Sequence, residues 1–135
     1  MFQTYTGSCH CGAIRFEVDA DISAGTGKCN CSMCRKMRLW AIHVRPERFR
    51  LLAGHAQLAD YMGRNAVAHH FFCPVCGVHP FDRVDMPNKI GFTYLNINVA
   101  CLDRVDVDEL VSAPIKYYDG ANDAWHLRPN EVRHL

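Results

Sequence analysis

The sequence predicts a mainly β fold, stabilised by zinc and containing little helix. Three observations carry this reading. Within Ala13 to Val18, Ile14, Phe16 and Val18 fall on one face while Arg15 and Glu17 fall on the other, the period-2 pattern of a half-buried strand. Further short β-prone runs follow, separated by turn signals at Gly54 and Gly63-Arg64-Asn65. Finally, all but one of the 8 cysteines fall into tight motifs, and that spacing suits metal better than disulfides.

Taken in order, Phe2 to Tyr5 is a short strand leading to a turn at Gly7-Ser8, and the alternating strand follows Cys9-His10-Cys11-Gly12. Asp19 to Gly27 is polar and glycine-containing, and reads as a loop. Leu39 to Val44 is apolar enough for a buried strand, which Pro46 ends. Phe49 to Leu52, Gln57 to Met62 and Ala66 to Phe72 read as strands of a meander, and Gly91 to Val99 as another strand rich in Thr, Tyr and Ile. Val105 to Val111 suits one or two helical turns with acidic residues early. Ile115 to Tyr118 is a short strand ending at Asp119-Gly120, and the polar tail after Trp125 receives no element.

The totals bound the possibilities. With 135 residues, 49% of them hydrophobic and 21% charged, the chain has the size and composition of a single domain spanning 1–135. A net charge of +1 gives no electrostatic argument for a nucleic-acid or anionic-membrane partner. No apolar run reaches membrane-spanning length, and the N-terminal MFQTYTGSCH lacks the basic and apolar regions of a signal peptide. The expected compartment is the cytoplasm, where thiols stay reduced, which again favours metal over disulfide.

Thiolate is the soft ligand that zinc prefers. The cysteines form a C-x-C pair (Cys9, Cys11), a triple motif KCNCSMCRK (Cys29, Cys31, Cys34) and a C-x-x-C knuckle followed by glycine (Cys73, Cys76, Gly77). In an extended C-x-C the Cα atoms stand roughly 6.6 Å apart on one face, close enough for the side chains to converge on one ion. The two pairs, Cys9/Cys11 and Cys73/Cys76, make a closed four-ligand structural site. Cys29, Cys31 and Cys34 then hold a second ion one ligand short of a tetrahedron, with a position open for water or substrate. A single site built from Cys29, Cys31, Cys73 and Cys76 is the alternative that spacing leaves open. Cys101, alone after an apolar strand, reads as a small buried hydrophobe. His10 and His79 lie close enough in sequence to the motifs to line a site, and His69 and His70 point to opposite strand faces, so one at most faces the metals. Trp40, Phe71, Phe72 and Phe81 read as core. Lys28, Arg35, Lys36 and Arg38 flank the triple motif and are the candidates for holding a carboxylate-bearing substrate.

In their order, GSCHCGAIRFEV, CNCSMCRK and FFCPVCGVHPF, together with the later ACLD and YYDG, resemble the glutathione-dependent formaldehyde-activating (GFA) family, also called the centromere protein V/GFA domain. The resemblance covers essentially the whole chain. It implies a β-tent of small antiparallel sheets around two zinc ions per chain. Carried over motif by motif, it implies that Cys9, Cys11, Cys73 and Cys76 hold a structural zinc and Cys29, Cys31 and Cys34 a catalytic one. The activity it implies is that of a carbon–sulfur lyase, an S-(hydroxymethyl)glutathione synthase acting on formaldehyde and glutathione. After the triple motif many members continue into small residues, whereas here the chain reads Met37-Arg38-Leu39-Trp40. A non-enzymatic zinc-stabilised β module binding a protein partner is the competing reading, and a fourth protein ligand at the second site would favour it.

Overall fold

Residues Arg15–Ala20 form the strand that the alternation predicts, with Phe16, Val18 and Ala20 buried and Arg15 exposed. The computed structural model describes residues 1–63, 66–86 and 92–135. In chain order the elements are β1 (Gln3–Ser8), β2 (Arg15–Ala20), β3 (Thr26–Cys29), α1 (Ser32–Met37), β4 (Trp40–Val44), β5 (Phe49–Ala53), β6 (Ala59–Tyr61), β7 (Ala68–Phe72), β8 (Phe81–Met86), β9 (Phe92–Asn98), α2 (Val107–Ser112) and β10 (Ile115–Tyr118). Short 3-10 turns occur at Ile22–Ala24, Pro46–Arg48, Val99–Cys101 and Gly120–Asn122. No helix among the described residues is long and apolar enough to cross a membrane.

Among the described residues the strands build two sheets, a three-stranded one ordered β1-β2-β5 and a seven-stranded one ordered β10-β3-β4-β9-β8-β7-β6. All pairings are antiparallel except β10 with β3. The core lies where the two sheets meet. Phe16 of β2 and Phe49 of β5 meet Phe81 of β8, with ring centroids 6.0 and 4.6 Å from it. Ile42, Val44, Leu95 and Ile97 belong to the same buried cluster. Aromatic contacts of this kind add about 0.5–1.5 kcal/mol each beyond the area they bury.

Several sequence expectations need correction. β1 runs through Gly7, which pairs with Phe16, to Ser8, so the predicted turn there is strand. The predicted loop from Asp19 to Gly27 contains the end of β2, a 3-10 turn with a fully buried Ile22, and the start of β3. Its polar composition hid these, because Thr26 is buried by bonding: its hydroxyl donates to Pro114 O at 2.9 Å and accepts from Trp40 Nε1 at 2.7 Å. β5 leaves the expected meander to pair with β2. The strand expected over Gln57 to Met62 shrinks to Ala59–Tyr61, since the amides of Gln57 and Leu58 both turn back to Gly54 O. β7 begins at Ala68. Arg64 and Asn65 of the expected turn, and Gly91 at the start of the expected strand, lie outside the described residues. β8 and α1 are elements that the sequence reading did not contain. Where helix was expected, α2 forms, capped by Asp106, whose carboxylate accepts from Asp108 N at 2.7 Å. Ile115–Tyr118 is the strand expected.

Candidate metal centres and the face that joins them

The cysteine sulfurs gather into two groups, Cys9/Cys11/Cys73/Cys76 and Cys29/Cys31/Cys34, with the ligand atoms of each within 4.8 Å of one another. This is the four-and-three division, and Cys29 and Cys31 do not join Cys73 and Cys76. Cys9 and Cys11 lie in the turn from β1 to β2, and Cys73 and Cys76 in the loop after β7. The Cys9–Cys11 and Cys11–Cys73 sulfurs are 3.7 and 3.6 Å apart. Two sulfurs on one tetrahedral ion with metal–sulfur bonds near 2.3 Å stand about 3.8 Å apart, so the donor set fits a metal ion. Gly77 takes φ 75°, the left-handed conformation that the knuckle requires, and its amide donates to Cys73 O at 2.8 Å. Backbone amides of Cys11 and Val78 pull the Cys76 thiol down to about 6. Ile14 N donates to Cys9 Sγ at 3.3 Å.

The three-cysteine group stands at the junction of β3 and α1. Cys29 ends the strand; Cys31 is the N-cap of the helix, and its sulfur accepts from Cys34 N at 3.4 Å, the role a Ser or Asp side chain usually plays. Cys31 N in turn donates to Cys29 Sγ at 3.3 Å. The local fold thus aims amides at sulfur, which favours thiolate. Hydrogen bonds from the Cys29 and then the Cys34 side chain draw the Cys31 thiol down to about 2, while contacts with Cys29 first and then Cys31 push Cys34 up. Among the described residues no fourth His, Cys, Asp or Glu joins this group.

The register of the seven-stranded sheet shows what faces it, since directly opposed residues share a face. Tyr118 opposes Cys29. Gly27, on the face of Cys29, opposes Ala41, which puts His43 on that face as well. His43 opposes Asn96, Asn96 opposes Asp82, Asp82 opposes His70, and His70 opposes Tyr61. The other face carries Ile42, Leu95, Ile97 and Phe81 into the core. The cysteine face is aromatic and polar. His43 packs between Tyr94 and Tyr118 at centroid distances of 5.8 and 5.6 Å. It keeps an accessible edge although the surrounding protein holds its pKa down by desolvation. Tyr94 is pushed up by burial first and then by the charges of Cys34, Asp82 and Cys29, which ties β9 to the cysteine group.

The segment after β10 closes over the same group. Asn30 Nδ2 donates to Asp119 Oδ1 at 2.8 Å and Asn30 Oδ1 accepts from Ala121 N at 2.9 Å. A Cβ on Gly120 would lie 2.8 Å from Cys29 Sγ and 2.5 Å from the Trp125 ring, so only glycine lets the chain pass this close. Of the four basic candidates, Lys28 points to the face opposite Cys29 and donates to Leu135 O at 3.0 Å. Arg38 donates to His134 O at 3.2 Å, and Arg35 and Lys36 are exposed on α1. Lys116, which the sequence reading missed, shares the face of Cys29, with Nζ 5.3 Å over the Tyr118 ring. His10 is exposed, His79 is engaged with Asp82, and Cys101 is buried, its thiol raised to about 11 by burial. Asp82, His43 and Tyr94 also escaped the sequence reading. For His43 and Tyr94 the signal was a polar group within a stretch expected to be strand, whereas Asp82 lies in a stretch that was given no element.

Two comparisons with known proteins bear on this arrangement. The family model described as "Glutathione-dependent formaldehyde-activating enzyme" matches residues 4–118. A crystal structure of a Rhodobacter sphaeroides protein is similar, with 30% sequence identity and a TM-score of 0.68, covering 82% of this chain and 99% of that one.

Proposed function

The chain belongs to the glutathione-dependent formaldehyde-activating family, and from that premise we propose that it is a zinc-dependent enzyme of the carbon–sulfur lyase type. It joins formaldehyde to glutathione as S-(hydroxymethyl)glutathione; a different thiol is the alternative substrate. At the level of the family the role is glutathione-dependent activation of formaldehyde. The observation that carries the proposal for this chain is the three-sulfur group with no fourth ligand among the described residues. An open coordination position belongs to a catalytic ion rather than a structural one. A fourth protein ligand there would have favoured the non-enzymatic module, and none joins the group among the described residues.

In this reading Cys9, Cys11, Cys73 and Cys76 hold a structural zinc, and Cys29, Cys31 and Cys34 hold the catalytic one, within one GFA-type zinc domain spanning 1–135. Bound there, zinc lowers the pKa of a thiol or polarises a carbonyl oxygen. The protein's own residues supply position and charge. Amides of Cys31 and Cys34 hold the sulfurs of Cys29 and Cys31. Tyr118, His43 and Tyr94 wall the face beside them. Glutathione brings two carboxylates; Lys116 on the cysteine face and the exposed Arg35 and Lys36 on α1 are placed to meet them. Lys28 and Arg38 act through the C-terminal residues that they hold. Holding thiol and aldehyde together supplies the proximity that a bimolecular addition lacks in water. Reduced thiols at both centres suit the cytoplasm.

The test is metal content together with exchange between formaldehyde and glutathione followed by NMR. Two zinc ions per chain and accelerated exchange are expected. Cys29→Ser, Cys31→Ser or Cys34→Ser should abolish the acceleration and remove one ion while the fold stands. Fully metallated protein that leaves the exchange at its uncatalysed rate would overturn the assignment.

A further inference from the structure

Asp82 is fully buried in the middle of β8. Its Oδ1 lies 2.8 Å from His70 Nδ1 and 2.9 Å from His79 Nε2. His70 Nδ1 makes the hydrogen bond, His79 Nε2 stands in ion-pair contact with the same oxygen, and Asp82 Oδ2 has no hydrogen-bond partner among the described residues. Leaving a buried polar atom unsatisfied is costly. An apolar residue at position 82 would fill the same space without that cost, so filling the core does not by itself account for a carboxylate there. Burial alone would raise the Asp82 carboxyl, but the two histidines outweigh it and the group stays ionised. His70 is raised, chiefly by its bond to Asp82. The ring of His70 keeps 12% of its surface open. It lies on the face that carries Cys29, and the charge of Cys31 reaches it.

We propose that His70 is the proton-transfer residue of this site and that Asp82 is its positioning residue. The inference rests on the thiol–aldehyde reading above. With the carboxylate accepting from Nδ1–H, the neutral ring carries its lone pair on Nε2, the tautomer a general base needs. In the addition the thiol S–H bond breaks and its proton goes to Nε2. The sulfur forms the C–S bond, the carbonyl π pair moves onto oxygen, and Nε2–H returns the proton to that oxygen. Nothing is oxidised or reduced overall, and the ring ends as it began. The titratable groups facing His70 are Asp82 and His79, Tyr61 on β6, and at longer range Cys31 and Asp60.

The test compares wild type with His70→Gln, Asp82→Asn and His69→Gln in the metal-loaded protein. His69 sits on the opposite strand face, bonded to Asp60 at 2.6 Å, and serves as the control. Metal content and circular dichroism establish that each variant is folded. His70→Gln is expected to lose roughly 100- to 10,000-fold in kcat with KM little changed and with the limb of the pH–rate profile assigned to His70 gone. Added imidazole should restore part of the rate. Asp82→Asn should fall between it and wild type, and His69→Gln should match wild type. A folded His70→Gln variant within threefold of wild type overturns the inference and leaves the proposed reaction intact. If wild type shows no acceleration, the proposed reaction fails, and calorimetry of glutathione and 2-mercaptoethanol binding in two buffers decides the inference separately. Wild type should then release one proton fewer per bound thiol than His70→Gln. Equal proton counts, or no binding of either thiol, overturn it.

Discussion

Replacing Gly120 with alanine tests whether the segment after β10 is part of the three-cysteine centre. The added methyl would stand 2.8 Å from Cys29 Sγ and 2.5 to 2.6 Å from two carbons of the Trp125 ring. Comfortable contact needs about 3.5–4.0 Å, so the sulfur would have to retreat by about 0.7–1.2 Å. A metal–sulfur bond tolerates only about 0.2 Å. The backbone cannot easily lift away, because Asn30 pins it at Asp119 and Ala121 on either side of Gly120. Trp125 is 50% exposed and can swing out, but Cys29 ends β3 and cannot. The expected result is a fall in metal affinity of about 10- to 100-fold, equivalent to about 1.4–2.8 kcal/mol, confined to the three-cysteine centre. Competition with a chromophoric chelator on the metal-loaded protein measures this, and the four-cysteine centre serves as internal reference. Adding Trp125→Ala should recover little of the loss. Unchanged affinity in Gly120→Ala, or full recovery in the double variant, would refute the account, because the strain would then rest on the ring and not on the sulfur.

Three further outcomes are expected. Mild chelation should remove the ion at Cys29, Cys31 and Cys34 first and leave the fold intact, whereas Cys9→Ser should lower the melting temperature sharply, because the four-cysteine centre ties Cys11 to Cys73 across 62 residues of chain. Phe16→Ala should cost about 3–5 kcal/mol in urea unfolding, since the fully buried ring joins both sheets. The Asp82–His70 pair makes stability depend on pH from both sides. Asp82 is depressed, so its contribution is present above the unfolded carboxylate value of about 3.9 and lost as pH falls through its folded value; His70 is raised, so its contribution is complete below about 6.5 and lost as pH rises through its folded value. The stability difference between wild type and the Asp82→Asn/His70→Gln double variant should therefore be largest near pH 4–6.5 and shrink by pH 9, read by thermal unfolding.

The parts of the molecule that obey one simple pattern were legible in the sequence. β2 alternates cleanly because one face is core and the other is solvent, and the three cysteine motifs stand out by their tight spacing, although which pairs meet across 62 residues of chain is settled by the fold. The missing parts break that pattern for a reason. β8 reads FDRVDM, with Asp82 and Arg83 on opposite faces, and neither face is apolar along its length. A strand whose inner surface must carry a buried carboxylate loses the period-2 signal that would reveal it. α1 is masked by the triple cysteine motif, because a thiol N-cap on a six-residue helix carries none of the usual helix-start signals. β3 was hidden because it pairs in parallel with β10, with Thr26 also bonding to Pro114 88 residues away, and neither can be read from local composition.

The division of labour between the two faces of the seven-stranded sheet explains why the residues that share the face of Cys29 come from strands so distant in sequence. Period 2 gives each strand alternate positions on each face, and the core claims one set: Ile42, Leu95, Ile97 and Phe81. Every residue facing Cys29 must then come from the other set, which is why His43, Asn96, Asp82 and His70 each sit one position from a core residue. A slip of one residue in the pairing of β8 would bring Asp82 into the aromatic core and Phe81 to the cysteine face. The buried contact of Asp82 with His70 and His79 therefore fixes register as well as charge, because the carboxylate finds its partners in only one alignment. The four-cysteine centre reinforces this from outside the sheet, since Cys73 leaves β7 two residues after Phe71, which packs on Phe81 at 5.3 Å. With the register held from that second centre, the three cysteines beside β3 are not needed to align the sheet, which is the freedom that an open position at the proposed catalytic ion would require.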